Sequence, residues 1–206
     1  VIIDEQHRFG VMQRETLLRK GEMPDVVQMT ATPIPRTLAI TVYGGCDLSL
    51  IDELPPGRLP IKTSYVTPAK ISGMYEYLAN EAGLGHQAYI VCPLVEESET
   101  RDVKNVTDHF EELAHGPLSK LTTALIHGRL PSEEKESVLN AFVRGEIQVL
   151  FSTSVIEVGI DCQNATTMII EDAGNFGLTQ LHQLRGRVGR GPDQSRCFLV
   201  GKPKTK

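Results

Sequence analysis

The stretch QLHQLRGRVGRG, residues 180–191, carries three arginines within six residues, two glycines between them and a glutamine leading in. On a helix of about 3.6 residues per turn, Gln183, Arg187 and Arg190 stand four and three apart, so the spacing predicts one shared face. Arg185 is two positions from Arg187 and turns well away from that face. Gly186 and Gly189 make a second stripe without side chains, where another backbone or a ligand can approach. Two guanidiniums one turn apart beside a bare stripe suit a polyanion such as a nucleotide phosphate. A solvated basic helix end that complements the helix dipole has the same composition. The rest of the chain has to decide between them.

Composition narrows the choice. The chain has 206 residues, 40% hydrophobic and 23% charged, which is enough apolar side chain for a packed core. That length suits one large domain, or one domain with part of another. The net charge is -5, so any electrostatic case for nucleic acid is local. Residues 185–206 supply one, with seven basic residues against a single acid, Asp193. Cys46, Cys92, Cys162 and Cys197 never form CxxC, and their scatter reads as reduced core thiols of a cytosolic protein rather than a zinc site. No signal peptide opens the chain and no apolar run is long enough to span a bilayer. Val1-Ile2-Ile3 reads as a buried strand with no Met before it, as in a fragment of a longer protein.

From residue 58 onward strands alternate with helices. The pattern predicts strands over 61–66, 88–94, 121–126, 147–151, 167–170 and 197–200. It predicts a helix over 70–81 with Ile71, Met74, Tyr75 and Leu78 on one side, and another over 106–114 after a charged loop at 96–102. A third helix is capped by Ser132 and ends at Gly145, with Val138, Leu139 and Phe142 inward. Such alternation means an α/β fold, a parallel sheet with helices on both faces. Pro55-Pro56-Gly57-Arg58 breaks the chain and divides it into domains 1–57 and 58–206. The first holds strands at 1–5 and 26–29, a helix-prone stretch to Lys20, a helix from Ile34 or Pro35 to Val42, and a short strand over 47–54.

Several strand ends carry chemistry-bearing residues. In open α/β sheets ligands bind at the carboxyl edge. Asp4 there can hold Mg²⁺ through water, and Glu5 can orient or deprotonate an attacking water. Two solvated acids would read the same. The hydroxyls of Thr30 and Thr32 can link the acids to a phosphate or a neighbouring domain, or simply cap the following helix. His127-Gly128-Arg129 ends a strand and can touch a backbone phosphate, or form a plain turn. Thr153 closes another strand, within reach of DNA phosphate oxygens, and Gly159 and Asp161 follow in a loop where an Asp can accept from a ribose hydroxyl. A capped turn is the alternative. His109 and His115 lie six apart and read as surface residues.

In order and spacing, Asp4-Glu5-Gln6-His7, Thr30-Ala31-Thr32, residues 153–161 and residues 183–190 resemble motifs II, III, V and VI of the superfamily 2 helicases. The strings DEQHRFGVMQR, TATPIPRTLA, IDELPPGR, VIEVGID and QLHQLRGRVGRG are similar to the RecG family of bacterial ATP-dependent DNA helicases. Transcription-repair coupling factors share several of them but fit Gln6-His7 and Pro-Pro-Gly-Arg less well. The resemblance covers nearly the whole chain. It implies a RecA-like fold, with the back part of a first motor domain in 1–57 and a complete second one, holding motifs IV to VI, in 58–206.

The resemblance also implies roles. Asp4 would hold Mg²⁺ and Glu5 would activate water against the γ-phosphate of ATP, with Gln183 near that water. Thr30 and Thr32 would couple hydrolysis to domain movement. Gly159 and Asp161 would face the nucleotide, with Thr153 nearer the DNA strand. Arg187 and Arg190 would be arginine fingers, which contribute ~10³ or more in rate in related phosphoryl transfer. The parent would be a monomeric, cytoplasmic bacterial translocase that binds no membrane and remodels branched DNA, such as stalled forks and Holliday junctions. The rivals are a transcription-repair translocase on linear duplex and a non-catalytic RecA-like binding module.

The family's phosphate-binding loop, GxxxxGK[ST], is not found in the 206 residues. The wedge domain ahead of the family's motor, and the region after its last motif, have no counterpart here either. The 206-residue chain is therefore expected not to hydrolyse ATP by itself. Turnover by the pure chain that disappears on Glu5→Gln would overturn this.

Overall fold

The computed structural model describes residues 1–4, 10–21, 24–30, 47–53, 57–93, 99–153 and 162–201. The chain divides into two compact units, Val1–Glu53 and Leu54–Lys206.

In the first unit, β1 (Ile2–Ile3) and β2 (Val27–Gln28) pair in parallel, with Ile3 opposite Gln28. The Val27 N–H donates to Val1 O at 2.9 Å and the Met29 N–H to Ile3 O at 2.8 Å. Between the two strands runs α1 (Val11–Leu18), whose first turn is closed by the Gly10 N–H donating to Gln13 Oε1 at 3.0 Å. The strand expected to be fully buried is narrower than its hydropathy suggested. Ile3 is 2% exposed but Ile2 is 72% exposed, because successive strand side chains point to opposite faces and one face of this pair is open among the described residues. No strand forms over 47–53, where Leu48, Leu50 and Ile51 are exposed. Alternating hydropathy makes a strand only where a neighbour pairs with it, and none does among the described residues. The helix expected from Ile34 or Pro35 to Val42 lies outside the described residues.

The second unit is built on one six-stranded parallel sheet. Its strands are β3 (Lys62–Val66), β4 (Gln87–Val91), β5 (Thr123–Ile126), β6 (Val149–Ser152), β7 (Ala165–Ile170) and β8 (Arg196–Val200). They lie in the order β3-β8-β7-β4-β6-β5. The helices are α2 (Ile71–Gly83), α3 (Glu99–His115), α4 (Ser132–Val143) and α5 (Leu178–Arg185). Steps one way along the sheet use α2 and α3 on one face, and steps back use α4 and α5 on the other, as a uniform crossover hand requires.

Alternate residues of the central strands feed two cores. Ala88, Ile90, Val149, Phe151, Ile169 and Phe198 pack with Met74 and Leu78 of α2 and Val106 and Leu113 of α3. Tyr89, Val91, Leu150, Met168 and Cys197 pack with Phe142 of α4 and Leu184 of α5. Phe110 meets Phe151 edge-on at 5.0 Å, a contact worth about 0.5–1.5 kcal/mol beyond its buried area.

Most expected elements are present, within a few residues of the expected ends. Two local readings change. α3 begins at Glu99, inside the stretch read as a charged loop. Charged residues do not bar a helix that needs apolar positions only on its packed face. Ser132 does not cap α4; it is the first helical residue, and Pro131 holds the cap position with no side-chain hydrogen bond. The other end follows the reading. Gly145 takes a φ of 79°, its N–H reaches Phe142 O at 2.9 Å, and the Glu146 N–H reaches Ala141 O at 3.0 Å. That is a Schellman stop, which favours glycine.

One buried amide ties these parts together. Gln87 Nε2 donates to Phe142 O at 2.6 Å and to Ile147 O at 2.7 Å. Its Oε1 accepts from Cys162 Sγ and from Asn164 Nδ2, each at 3.3 Å. Gln87→Leu in the 206-residue chain should cost about 1–3 kcal/mol in denaturant melts, because two buried carbonyls lose their donor. An unchanged midpoint would show that the amide carries no stability.

Candidate functional site

Polar residues gather at both ends of the sheet. At the carboxyl edge, β5 and β6 finish side by side, with Ile126 opposite Ser152. The Thr153 N–H donates to Ile126 O at 3.3 Å, so His127 and Thr153 leave the sheet together. Thr153 is fully buried, yet neither its Oγ1 nor His127 Nδ1 has a hydrogen-bond partner among the described residues. Lys135, in the first turn of α4, donates from Nζ to Gly128 O at 2.8 Å. Burial, then the charges of Lys135 and Arg129, hold His127 below its ordinary value of 6.5. A neutral imidazole and an unsatisfied hydroxyl beside two cations are groups that an anionic oxygen would satisfy. The loop with Gly159 and Asp161 lies outside the described residues.

The arginines stand at the opposite edge. α5 starts after the carboxyl end of β7, where the Gly177 N–H donates to Gln180 Oε1 at 3.0 Å, and runs back along the sheet. Gln183 sits half-buried on it. The helix stops at Arg185, so the shared helical face expected for Gln183, Arg187 and Arg190 does not exist. The Arg187 N–H still reaches Leu184 O at 3.0 Å, but Gly189 then adopts a φ of 73°, a left-handed conformation that ends any helix. Arg187 and Arg190 instead flank one turn, with Val188 between them buried in the second core.

Close approach occurs at Gly189, as expected, and at Gly191, but not at Gly186. Gly186 is in ordinary contact with its surroundings, but a Cβ on Gly189 would lie 2.9 Å from Ile61 Cγ1, and one on Gly191 2.5 Å from Gln163 O. Ile61 precedes β3 and Gln163 precedes β7, so the turn is wedged among the amino ends of the strands. Cys162, which follows Asp161 in sequence, is held at this same edge by Gln87. Arg185 Nη2 lies 3.3 Å from His182 Nδ1, on the exposed side of the helix end.

In the first unit, Asp4 and Thr30 follow the paired ends of β1 and β2 and share one carboxyl edge. Glu5 and Thr32 lie outside the described residues. No helix among the described residues is long and apolar enough to cross a membrane.

Residues 69–192 match the family described as helicase conserved C-terminal domain. The chain belongs to that family. Over its whole length it is 53% identical to the ATP-dependent DNA helicase RecG of Synechocystis sp. and 52% identical to that of Bacillus subtilis, covering 25% and 30% of those proteins. It therefore spans a quarter to a third of the length of the curated relatives it matches. A structure of RecG bound to a three-way DNA junction superposes with a TM-score of 0.75 at 45% identity, over 97% of this chain and 25% of that one. The helicase MrfA, solved with DNA and AMPPNP, shares the fold, with a TM-score of 0.69 at 18% identity over 98% of this chain and 30% of that one. The six-stranded unit is thus a RecA-like helicase C-terminal domain.

This helicase C-terminal domain holds a further polar cluster that sequence reasoning missed. Glu171 and Asp172 close the apolar run of β7 as Asp4 and Glu5 close that of β1, and that acid pair was the available signal. Tyr75 Oη donates to Glu171 Oε1 at 2.9 Å. Burial pushes the Glu171 carboxyl up, against the opposing pull of the Tyr75 hydrogen bond and the His109 charge. His109 is therefore not a plain surface residue: it is half-buried, and its charge acts on Glu171. Burial and Glu171 also push Tyr75 up, and burial moves the Cys92 thiol up to about 12. A carboxyl raised by folding favours the fold below its unfolded value, near 4.5, and loses that advantage as pH rises through its folded value. Glu171→Gln keeps the acceptor for Tyr75 and stays neutral. Its melting temperature should rise relative to the parent chain as pH is raised from that range to neutrality, and a difference that does not vary with pH would refute the assignment.

Proposed function

We propose that this chain is the part of a RecG-type ATP-dependent DNA helicase that runs from motif II to motif VI, and that its parent remodels branched DNA. The observation that carries this reading is the match to RecG helicases over the whole chain, through both units, at about half identity. The second unit, with motifs IV to VI, is the second motor domain, and the first unit is the back part of the first. The parent works in the bacterial cytoplasm as a monomer.

The two edges take separate tasks. At the amino edge, the guanidiniums of Arg187 and Arg190 neutralise charge that develops on the transferred γ-phosphate, with Gly159 and Asp161 facing the nucleotide and Gln183 near the attacking water. At the carboxyl edge, the Thr153 hydroxyl donates to a DNA phosphate oxygen, the uncharged His127 offers a ring N–H, and Arg129 and Lys135 supply charge. Such contacts fix register on the duplex without reading sequence. In the first unit, Glu5 takes the proton of the attacking water, and Thr30 and Thr32 couple hydrolysis to domain movement. Asp4 is exposed at the carboxyl edge it shares with Thr30, and its hard carboxylate oxygens fit Mg²⁺ held through water, which would supply positive charge to the nucleotide phosphates.

The test is ATP hydrolysis by the full-length parent with forked and with linear duplex DNA. Stronger stimulation by the fork is expected, and Arg187→Ala or Arg190→Ala should lower kcat by ~10³. Equal or better stimulation by linear duplex would move the assignment to a transcription-repair translocase. No hydrolysis with either DNA would leave a module that only binds. In the same protein, Lys135→Ala should reduce the salt slope of DNA binding by about 1 for a lost phosphate contact, and an unchanged slope would remove Lys135 from the DNA surface.

A further inference from the structure

The turn that carries Arg187 and Arg190 has lost its helix, so something else must hold it. The segment that enters the second unit supplies that hold at several points. Arg58 Nε donates to Gly189 O at 2.6 Å from a half-buried position. The Ile61 side chain fills the space where Gly189 has no Cβ. Gln194 Nε2 donates to Pro60 O at 2.8 Å, and the Lys62 N–H donates to Ser195 O at 3.0 Å, closing the far side. Residues 58–62 thus strap down residues 189–195. The hydrogen bond from Arg58 is the one nearest the arginines, since its acceptor is the carbonyl between Val188 and Arg190.

We infer that Arg58 is a positioning residue for ATP turnover, holding the Arg187–Arg190 turn in register through Gly189 O. The inference rests on the reading of those arginines given above. Arg58 touches no reacting atom in this role. It belongs to the first few residues past the unit boundary at Glu53, so the stretch of chain that joins the two units is also the one that holds the arginine turn. A turn fixed at its central carbonyl keeps both guanidinium stems in place. Release of that carbonyl lets them drift from a charge that exists only in the transition state.

Chain length suggests the variants. In arginine the Nε hangs on Cδ, and in glutamine the Nε2 hangs on the same atom. Arg58→Gln therefore keeps a donor at the same reach and removes the charge. Arg58→Met keeps bulk and removes the donor. In the full-length parent with forked DNA, Arg58→Met should lower kcat by about tenfold to a hundredfold, the range for a misplaced catalytic group, with KM for ATP unchanged. It should weaken trapping by ADP with aluminium fluoride while leaving ADP binding and DNA affinity as they were, with only a modest fall in melting temperature for the lost hydrogen bond. Arg58→Gln should restore kcat and trapping.

Equal losses in both variants would assign the effect to charge and overturn the inference, as would parent-like turnover in Arg58→Met. Should Arg58→Met fail to fold, a folded Arg58→Gln with reduced kcat overturns it, and one with parent-like kcat and trapping upholds it. Arg187→Ala and Arg190→Ala separate the two levels. If they abolish turnover while Arg58→Met does not, only the role of Arg58 falls. If they leave turnover intact, the reading of the arginines falls with it.

Discussion

Burial of β4, β6 and β7 on both faces is the constraint from which the rest of the domain follows. A strand packed against helices on each side has no free side chain along its length. Every residue of β4 and β7 is buried, and so are all four of β6. Polar chemistry can leave such a sheet only at the strand ends. Gln87 shows the cost of placing polarity even one residue inside: its amide is accepted there with all four hydrogen-bonding positions used. The same amide joins the end of α4, the approach to β6 and the residue after Asp161. One side chain thereby fixes three segments of the amino edge relative to one another.

The sheet keeps its two ends apart, and their electrostatics differ. The carboxyl edge carries cations beside an unsatisfied hydroxyl at β5 and β6, and a raised carboxyl at β7. Glu171 is held neutral more readily than a surface acid because burial outweighs the help of Tyr75 and His109. The amino edge carries Arg187 and Arg190 on a turn whose glycines let the backbone pack against Ile61 and Gln163.

Much of this was legible because it is periodic. Apolar runs marked the six strands and apolar residues on one side marked the helices, so a parallel sheet covered on both faces followed from the sequence alone. Elements set by partners rather than by period were not. Leu48 and Leu50 alternate like a strand yet find no neighbour among the described residues, and the charged run at 96–102 hides the start of α3 because charge reports solvent and not backbone. Glu171 was passed over because an acid pair after a strand looks like a solvated end. Only its burial and its hydrogen bond from Tyr75 on α2 distinguish it, and Tyr75 lies far away in sequence.

The arginine motif is the most instructive departure. Helical spacing placed Gln183, Arg187 and Arg190 on one face, but Gly186 and Gly189 carry the highest backbone entropy cost of any residues in a helix, apart from the proline penalty. The glycines first read as a bare helical stripe are what end the helix. A turn has no ladder of its own, so its position is borrowed from whatever touches it: Val188 in the core, Ile61 against Gly189, and Arg58 on the Gly189 carbonyl. Two of these three supports belong to the segment leading out of the unit boundary. A helix would have held the arginines regardless of that segment, whereas a turn makes their position depend on it.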